Sequence, residues 1–166
     1  MKLLAIDPGN EMSAYCIYDT LANEPTGKRK ITNAEMLEVI DAYGDIPMAI
    51  EMIACYGMAV GKTVFETCVW IGRFIQAHGE NYEYVYRREV KMFLCNSMIA
   101  KDSNVRQAII DRFPAIGGGK TPQIGTKAQP GPLYGFAADM WAALGVALTY
   151  AEKQKRLEIK NAVMNW

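Results

Sequence analysis

Short apolar runs alternate with segments of helical periodicity along most of this chain, and this alternation restricts the fold to the α/β class. Strands are predicted at residues 2–6, 13–18, 48–53 and 82–86. Helices are predicted at residues 33–42, 62–78, 88–95, 103–113 and 134–156, the first capped by Thr32. The chain has no internal repeat, low-complexity tract or interdomain linker. Its 166 residues therefore predict one domain spanning 1–166.

The composition excludes several protein classes. Hydrophobic residues make up 51% of the chain and charged residues 22%, which is typical of a folded protein and not of a disordered one. No apolar run approaches the ~18 residues that span a bilayer, and Asp7 interrupts the N-terminal run before the core of a signal peptide could form. Four cysteines without a CxxC pair, beside the single histidine His78, support neither a zinc site nor a disulfide framework. We therefore expect no membrane partner and a location in the reducing cytoplasm.

The net charge of zero hides an uneven distribution of basic residues. Residues 84–130 contain eight basic side chains and three acidic ones, an excess of five positive charges that the rest of the chain balances. A chain divided in this way can present a basic face to nucleic acid. An ordinary helix surface with unrelated charges is the alternative.

Residues 114–132 form the one long irregular stretch and are rich in glycine and proline. The run from Gly117 to Thr121, GGGKT, resembles a phosphate-binding loop, but that motif requires a glycine where this chain has Pro114. No strand precedes the run, so we expect no nucleotide cofactor. A flexible basic loop is predicted instead, because long loops in compact domains are commonly functional or mobile.

Three acids occupy positions that are poor for structure alone. Glu51 lies inside an apolar strand, where a carboxylate is costly unless it is paired or bound to a cation. Asp7 ends the first strand, and Asp139 lies in the small-residue helix predicted at 134–156. Asp7 could be a turn residue and Asp139 a solvated helix residue. If the strands of Asp7 and Glu51 are neighbours and the late helix crosses their end, the three carboxylates meet and favour two Mg²⁺ ions, for which Mn²⁺ can substitute.

An ordered set of segments runs through most of the chain: residues 4–9 (LAIDPG), 49–51 (AIE), 56–61 (YGMAVG), 71–74 (IGRF), 101–107 (KDSNVRQ), 124–127 (IGTK), 131–135 (GPLYG) and 137–148 (AADMWAALGVAL). This set resembles the RuvC-type Holliday junction resolvases, especially a phage-like branch, which implies the cytoplasm of a bacterial or phage-infected cell. It implies a ribonuclease H-like fold with a mixed central sheet flanked by helices. It also implies a homodimer and Mg²⁺-dependent nicking of four-way DNA junctions.

The resemblance assigns the metal-binding acids to Asp7, Glu51 and Asp139. It places two catalytic lysines of the long loop, Lys120 and Lys127, near the scissile phosphate. The chain departs from the family on the last helix, where better-studied members carry two aspartates one turn apart. Here Phe136 and Ala142 occupy the positions three residues before and after Asp139. Glu66 could supply a further ligand, although a helix-surface role for this residue is favoured.

The DNA surface predicted with this resemblance combines two kinds of side chain. Tyr56 and Met58, in the loop after Glu51, would stack on an unpaired base, although ordinary loop packing is as good an explanation. Phosphate contacts are assigned to Arg87, Arg88, Lys91 and Arg106, together with Lys120 and Lys127. Cutting two symmetric strands requires two sites related by a two-fold axis, so we expect a homodimer through the helix at 62–77. Its apolar residues are Val64, Phe65, Val69, Trp70 and Phe74, and a stripe of this kind is more often simply core.

Three functions are consistent with the sequence. The leading prediction is a metal-dependent endodeoxyribonuclease that resolves four-way junctions by paired symmetric nicks. A nuclease of the same fold acting on forks, flaps or RNA–DNA hybrids is the second. A junction-binding protein that has lost cleavage is the third, motivated by the missing second aspartate.

Overall fold

The computed structural model describes residues 1–164 and contains one mixed sheet with helices on both faces. The strands are β1 (Lys2–Asp7), β2 (Met12–Asp19), β3 (Glu24–Thr32), β4 (Met48–Met52) and β5 (Tyr82–Tyr86). The helices are α1 (Asn33–Ala42), α2 (Lys62–His78), α3 (Arg87–Cys95), α4 (Asp102–Ile110) and α5 (Met140–Met164). None of these helices is long and apolar enough to cross a membrane.

The sheet has the strand order β3-β2-β1-β4-β5. Its first three strands form an antiparallel meander, whereas β4 pairs parallel to β1 and β5 pairs parallel to β4. The predicted α/β fold with a mixed central sheet is therefore confirmed. The first strand and the strand of Glu51 are direct neighbours.

Side-chain alternation along the strands divides the core into two layers. Leu3 and Ala5 of β1 face the layer that contains α3, α4 and α5. Leu4 and Ile6 face the opposite layer, which contains α1 and α2. Asp7 continues the first alternation, so its side chain emerges on the α5 face of the sheet.

The hydrophobic pattern of the sequence predicts no strand at the position of β3. The strand is largely polar, and Ile31 is its only fully buried hydrophobic residue. β3 lies at the edge of the sheet, so its backbone forms ladder hydrogen bonds with a neighbouring strand on one side only. Basic side chains on such an edge strand discourage pairing with another chain. Alternation of buried and exposed residues therefore does not reveal β3 in the sequence.

Helix α5 also begins later than predicted, at Met140 and not at residue 134. Positive φ angles at Gly135 and Ala138 interrupt the helical path before it. The assignment of Asp139 to the interior of a helix is therefore wrong. Asp139 directly precedes the helix, and its carbonyl accepts a hydrogen bond from the amide of Ala143 at 3.1 Å.

The stretch at 114–132 is a closely bonded structure, and the flexibility predicted for it stays a prediction. The amide of Gly117 donates to the carbonyl of Pro122 at 2.8 Å, and the amide of Gly131 donates to that of Ile124 at 2.9 Å. A Cβ on Gly117 would lie 2.7 Å from the amide nitrogen of Gly131. The glycines therefore allow two backbone segments to cross, which is a packing requirement.

Candidate active site and nucleic-acid surface

The two strand acids lie side by side at one end of the sheet. Parallel pairing sets Ile6 opposite Ile50, so Asp7 and Glu51 are the next residues at the carboxyl ends of neighbouring strands. Glu51 alternates in phase with the buried Ala49 of the α5 layer. Both carboxylates therefore project toward the face from which α5 begins.

A buried polar network fixes the turn that follows Asp7. The amide of Gly9 donates to the Ser13 hydroxyl at 3.1 Å, and that hydroxyl donates to Oδ1 of Asn33 at 2.6 Å. The Asn33 amide group in turn donates to the Gly9 carbonyl at 2.9 Å. Ser13 and Asn33 are each only 1% exposed, so these bonds form away from water and hold the end of β1 against the start of α1.

Asp139 reaches the site from the opposite side and forms an ion pair with Lys30 of β3. The pairing register of β1, β2 and β3 explains why Lys30 lies in this position. Lys30 pairs with Ala14 of β2, and Ala14 pairs with Asp7 of β1. Residues directly opposite in an antiparallel sheet share a face, so Lys30 and Asp7 project to the same side, two strands apart.

The electrostatics of Asp7 show that the three acids interact. Burial raises the pKa of Asp7 from 3.8 to about 8, and the negative charges of Glu51 and Asp139 add to the effect. Arg87 and Lys30 oppose it. The three carboxylates and two basic side chains therefore form one electrostatic cluster.

Glu51 is paired with Arg87 at the start of α3, but the pairing is incomplete. Burial raises the pKa of Glu51, and the Arg87 charge acts against that rise. Arg87 Nη1 lies 3.8 Å from Glu51 Oε2, and both atoms are buried without a hydrogen-bond partner. Arg87 Nη2 donates to Oδ1 of Asp102 at 2.6 Å. The arginine is held by Asp102, and a buried oxygen of Glu51 remains available to a cation.

The donor set fits a hard divalent cation by its chemistry. Carboxylate oxygens are the ligands that Mg²⁺ and Mn²⁺ prefer, and Glu51 offers a buried oxygen that lacks a partner. Across residues 1–164, however, no three Asp, Glu, His or Cys side chains are already gathered as a metal-binding cluster. In this arrangement the carboxylates of Asp139 and Glu51 are turned toward Lys30 and Arg87.

Glu66, the alternative ligand, lies at the edge of the site in a separate set of contacts. Its Oε2 accepts from the Asn10 side chain at 3.4 Å, and its Oε1 lies 3.4 Å from Lys62 Nζ. Asn10 belongs to the turn after Asp7. The pairing with Lys62, one helical turn away, matches the helix-surface role favoured for this residue.

Three open clefts are joined by shared lining residues, and Asp139 lines one of them. The first, of about 500 Å³, is lined by Ala54, Tyr56, Met58, Arg87, Arg88, Lys91 and Met98. The second, of about 350 Å³, is lined by Asp139 and by Arg87, Asp102, Ser103, Val105, Arg106, Ala138, Trp141 and Ala142. The third, of about 400 Å³, contains Ser103, Arg106, Lys120 and neighbouring residues of α4 and the long loop. Arg87 joins the first cleft to the second, and Ser103 and Arg106 join the second to the third.

We call the basic residues of these clefts the basic track: Lys91, Arg88, Arg87, Arg106 and Lys120. The track passes directly beside Asp139 in the second cleft. Lys127 is exposed in the turn in which the Thr126 amide donates to the Gln129 carbonyl, and it does not line these clefts. A larger cavity of about 550 Å³, lined by Met1, Leu21 and Tyr150 among others, lies near the amino end of β1, opposite the acids.

The loop after β4 presents Tyr56 and Met58 to solvent at the start of the track. Their exposed fractions are 63% and 70%, unusually high for large hydrophobic side chains. Tyr56 has a positive φ of 46°, and the Arg88 guanidinium lies 5.9 Å from its ring centre. The packing of the loop therefore leaves both side chains free to contact a partner.

Helix α2 has one apolar face in the core and a second in solvent. Phe74 is fully buried, so it belongs to the core and not to the predicted dimer surface. Phe65 and Val69, one turn apart, are 60% and 63% exposed. These two residues form the part of the predicted interface that is open to a partner.

Sequence reasoning did not identify two residues of the acid cluster, Lys30 and Asp102. Lys30 belongs to the strand that the hydrophobic pattern missed, and only the sheet register brings it near Asp7. Asp102 is one of the three acids at 84–130, and nothing in the sequence distinguishes it from the other two. A run of basic residues at 28–30 next to the first hairpin was the one available signal.

The mixed five-stranded sheet, with acids at the ends of its first and fourth strands, is the ribonuclease H-like fold predicted for this chain. The solved structures with this fold include Thermus thermophilus RuvC, with a TM-score of 0.65 and 15% identity over 94% of this chain and 96% of that one. They also include T. thermophilus RuvC in complex with a Holliday junction substrate, with a TM-score of 0.66, 16% identity and the same coverage. The RuvC fold is thus shown over nearly the whole chain. No protein-family model and no curated protein matches the sequence.

Proposed function

We propose that this protein is a metal-dependent endodeoxyribonuclease that resolves four-way DNA junctions by paired symmetric nicks. The observation that carries the proposal is the placement of Asp7, Glu51 and Asp139 at one end of the sheet, with the basic track running past Asp139. A fold shared with a RuvC that was solved with a Holliday junction substrate supports the choice of substrate.

In this proposal the three acids hold Mg²⁺ or Mn²⁺, and the track holds the DNA backbone. A divalent ion bound there would supply activation of water and stabilisation of the leaving oxygen. Glu51 contributes its unpartnered buried oxygen, and Asp7 contributes a carboxylate whose position is fixed by the turn network. Arg87 holds the Glu51 side of the site, because Asp102 anchors its guanidinium.

The basic residues act on the phosphates of the DNA arms. Arg88, Lys91 and Arg106 bind without sequence information, and Lys120 lies at the far end of the same track. Lys127, on the turn beyond the track, stabilises the charge that develops on the scissile phosphate. Tyr56 and Met58 stack on an unpaired base at the branch point.

Two such sites are needed for two symmetric cuts, so we propose a homodimer in which the exposed α2 residues Phe65 and Val69 pair across a two-fold axis. Burying these side chains removes apolar surface from water, which favours association.

The test is incubation of the purified protein with a labelled four-way junction in Mg²⁺ and in Mn²⁺, beside linear duplex and fork substrates. We expect paired symmetric nicks on the junction and none with Asp7→Asn. Asp45→Asn, which removes an exposed acid in the loop before β4, serves as the control and should nick normally. Faster cleavage of forks than of junctions would instead favour the branched-DNA nuclease.

A junction-binding protein without cleavage is the second candidate. It is favoured by one observation, that Asp139 is the only acid at the start of α5 and is paired with Lys30. Phe136, one turn before it, packs against the Trp141 ring with centroids 5.3 Å apart. Tight junction binding without nicks in either metal would establish this candidate and reject the nuclease.

A further inference from the structure

A second basic side chain of β3, Lys28, lies on the same face of the sheet as the acids. Lys28 pairs with Cys16 of β2, and Cys16 is fully buried in the core layer that contains α5. Residues directly opposite in an antiparallel sheet share a face. The β3 backbone therefore directs Lys28, like Lys30, toward the α5 side.

The Lys28 ammonium group is held by an aromatic ring and not by an acid. It lies 4.6 Å from the centre of the buried Phe136 ring, and a Cβ on Gly135 would lie 3.7 Å from Lys28 Cε. None of the ion pairs among residues 1–164 includes Lys28. Burial lowers the pKa of Lys28, because its half-buried charge has lost part of its water. A partly desolvated cation without an acidic partner favours the binding of an anion.

Arg106 of the basic track is held in the same way. Its guanidinium carbon lies 4.8 Å from the centre of the Trp141 ring, and it also takes part in no ion pair of the described residues. The Trp141 and Phe136 rings pack together with centroids 5.3 Å apart. Two neighbouring rings therefore hold two cations that have no carboxylate partner.

These two cations flank Asp139. On the β3 side, the Asp139 carboxylate pairs with Lys30, which is two residues from Lys28. On the α4 side, Asp139 lines the second cleft together with Arg106. Contacts of 4.6, 5.3 and 4.8 Å connect the two cations through the rings. Because phosphates of one strand follow each other every ~3.4 Å along a duplex axis, this separation corresponds to only a few phosphates.

We propose that Lys28 and Arg106 bind the backbone of one DNA strand on either side of the phosphate that is cut. Lys28 binds a phosphate on the β3 side of Asp139, which the basic track does not reach, and Arg106 binds a phosphate on the α4 side. This inference deepens the proposed function and rests on it, because it assumes that the cut strand passes Asp139.

The test measures binding to four-way junctions in which one phosphate near the branch point is replaced by a neutral methylphosphonate. Fluorescence anisotropy in EDTA gives the Kd for each modified position. Lys28→Met should raise the Kd for the unmodified junction about tenfold, near the lower end for a hydrogen bond between charged groups, and lower the slope of log K against log salt by about 0.9. It should also remove the penalty that one methylphosphonate position imposes on the wild type. Arg106→Met should remove the penalty at a different position, and the cut found in Mg²⁺ should lie between the two.

Methionine keeps an apolar stem against each ring, and urea unfolding of the variants checks that the fold is retained. Lys28→Arg keeps the charge and should retain the wild-type Kd within about threefold. Arg29→Met is the matched control, since Arg29 is exposed and pairs with Tyr15, which packs in the opposite layer of the core. It changes the net charge by the same amount and should leave the methylphosphonate pattern unchanged.

Any of three results would overturn the proposal. A wild-type Kd for Lys28→Met, together with a lower stability, would show that Lys28 serves only the fold. Equal effects of Lys28→Met and Arg29→Met would show a response to net charge alone. Loss of sensitivity at the same phosphate in Lys28→Met and Arg106→Met would exclude two flanking contacts.

Failure of the proposed function is read separately, from the wild type. Paired nicks by the wild type would still support the nuclease if the variants overturn the role of Lys28. A wild type that binds the junction without nicking it would reject the nuclease, and the flanked cut with it.

Discussion

Replacing Asp7 with asparagine should make the folded protein more stable in the absence of metal, although it removes a residue proposed to be essential. Asp7 has a pKa of about 8 in the folded protein and 3.8 as its ordinary value, and burial is the largest cause of the rise. Between these values the folded chain keeps a proton that the unfolded chain has released. Stability from this group is therefore complete below pH 3.8 and is lost as the pH rises through about 8.

The magnitude follows from the width of this pH window. Each pH unit across it lowers the free energy of unfolding by about 1.4 kcal/mol, so the contribution of Asp7 falls by about 4 kcal/mol between pH 5 and pH 8. Asparagine has nearly the same shape and does not ionise. We therefore expect Asp7→Asn to gain up to about 4 kcal/mol relative to the wild type over this range.

Urea unfolding in EDTA at pH 5 and pH 8, followed by circular dichroism and tryptophan fluorescence, measures this difference. Asp45→Asn controls for the loss of one negative charge at an exposed position. The reasoning is refuted if the difference between the wild type and Asp7→Asn is the same at both pH values, or if the variant is the less stable protein at pH 8.

Three further predictions concern DNA and the proposed dimer. Lys127→Ala should slow nicking roughly 10²-fold with little change in the junction Kd, because its charge acts on the transition state; equal losses in rate and affinity would remove it from the catalytic assignment. Arg88→Ala should weaken binding similarly for all sequences and reduce the slope of log K against log salt by about 1, measured by fluorescence anisotropy from 50 to 200 mM salt. Val69→Asp should convert the proposed dimer to a monomer in sedimentation analysis, since Val69 is 63% exposed; a variant that sediments as the wild type does would remove Val69 from the interface.

The elements that the sequence predicted well are those with a repeating burial pattern. Helix α1 was predicted with its observed bounds, and the capping box between Thr32 and Glu35 explains its sharp start. Helix α2 was also predicted at its observed bounds, since its buried residues recur at helical spacing. So was strand β5, whose side chains alternate between the two core layers, with Tyr82 and Tyr84 in one and Val85 in the other. In contrast, β3 has few buried side chains and is held by backbone pairing, which leaves no hydrophobic period to detect.

The sequence alone also indicated the acids, because a carboxylate in a buried strand is costly and requires a compensating partner. It identified Glu51 by this reasoning, and Asp7 by its position at a strand end. It could not identify the side chains that compensate the cost of burying these carboxylates. The answer lies in Arg87, Asp102 and Lys30, whose side chains meet the acids only after the sheet and α3 have assembled.

The sequence by itself therefore determined the α/β alternation, the RuvC-like pattern of segments and the three candidate acids, because each of these depends on local composition and spacing. Only the tertiary structure decided that Lys30 and Asp139, which are 109 residues apart, form an ion pair and that separate basic residues join into one track. The physical reason is that strand register and helix packing set distances between side chains, whereas sequence periodicity records only which face of an element is buried.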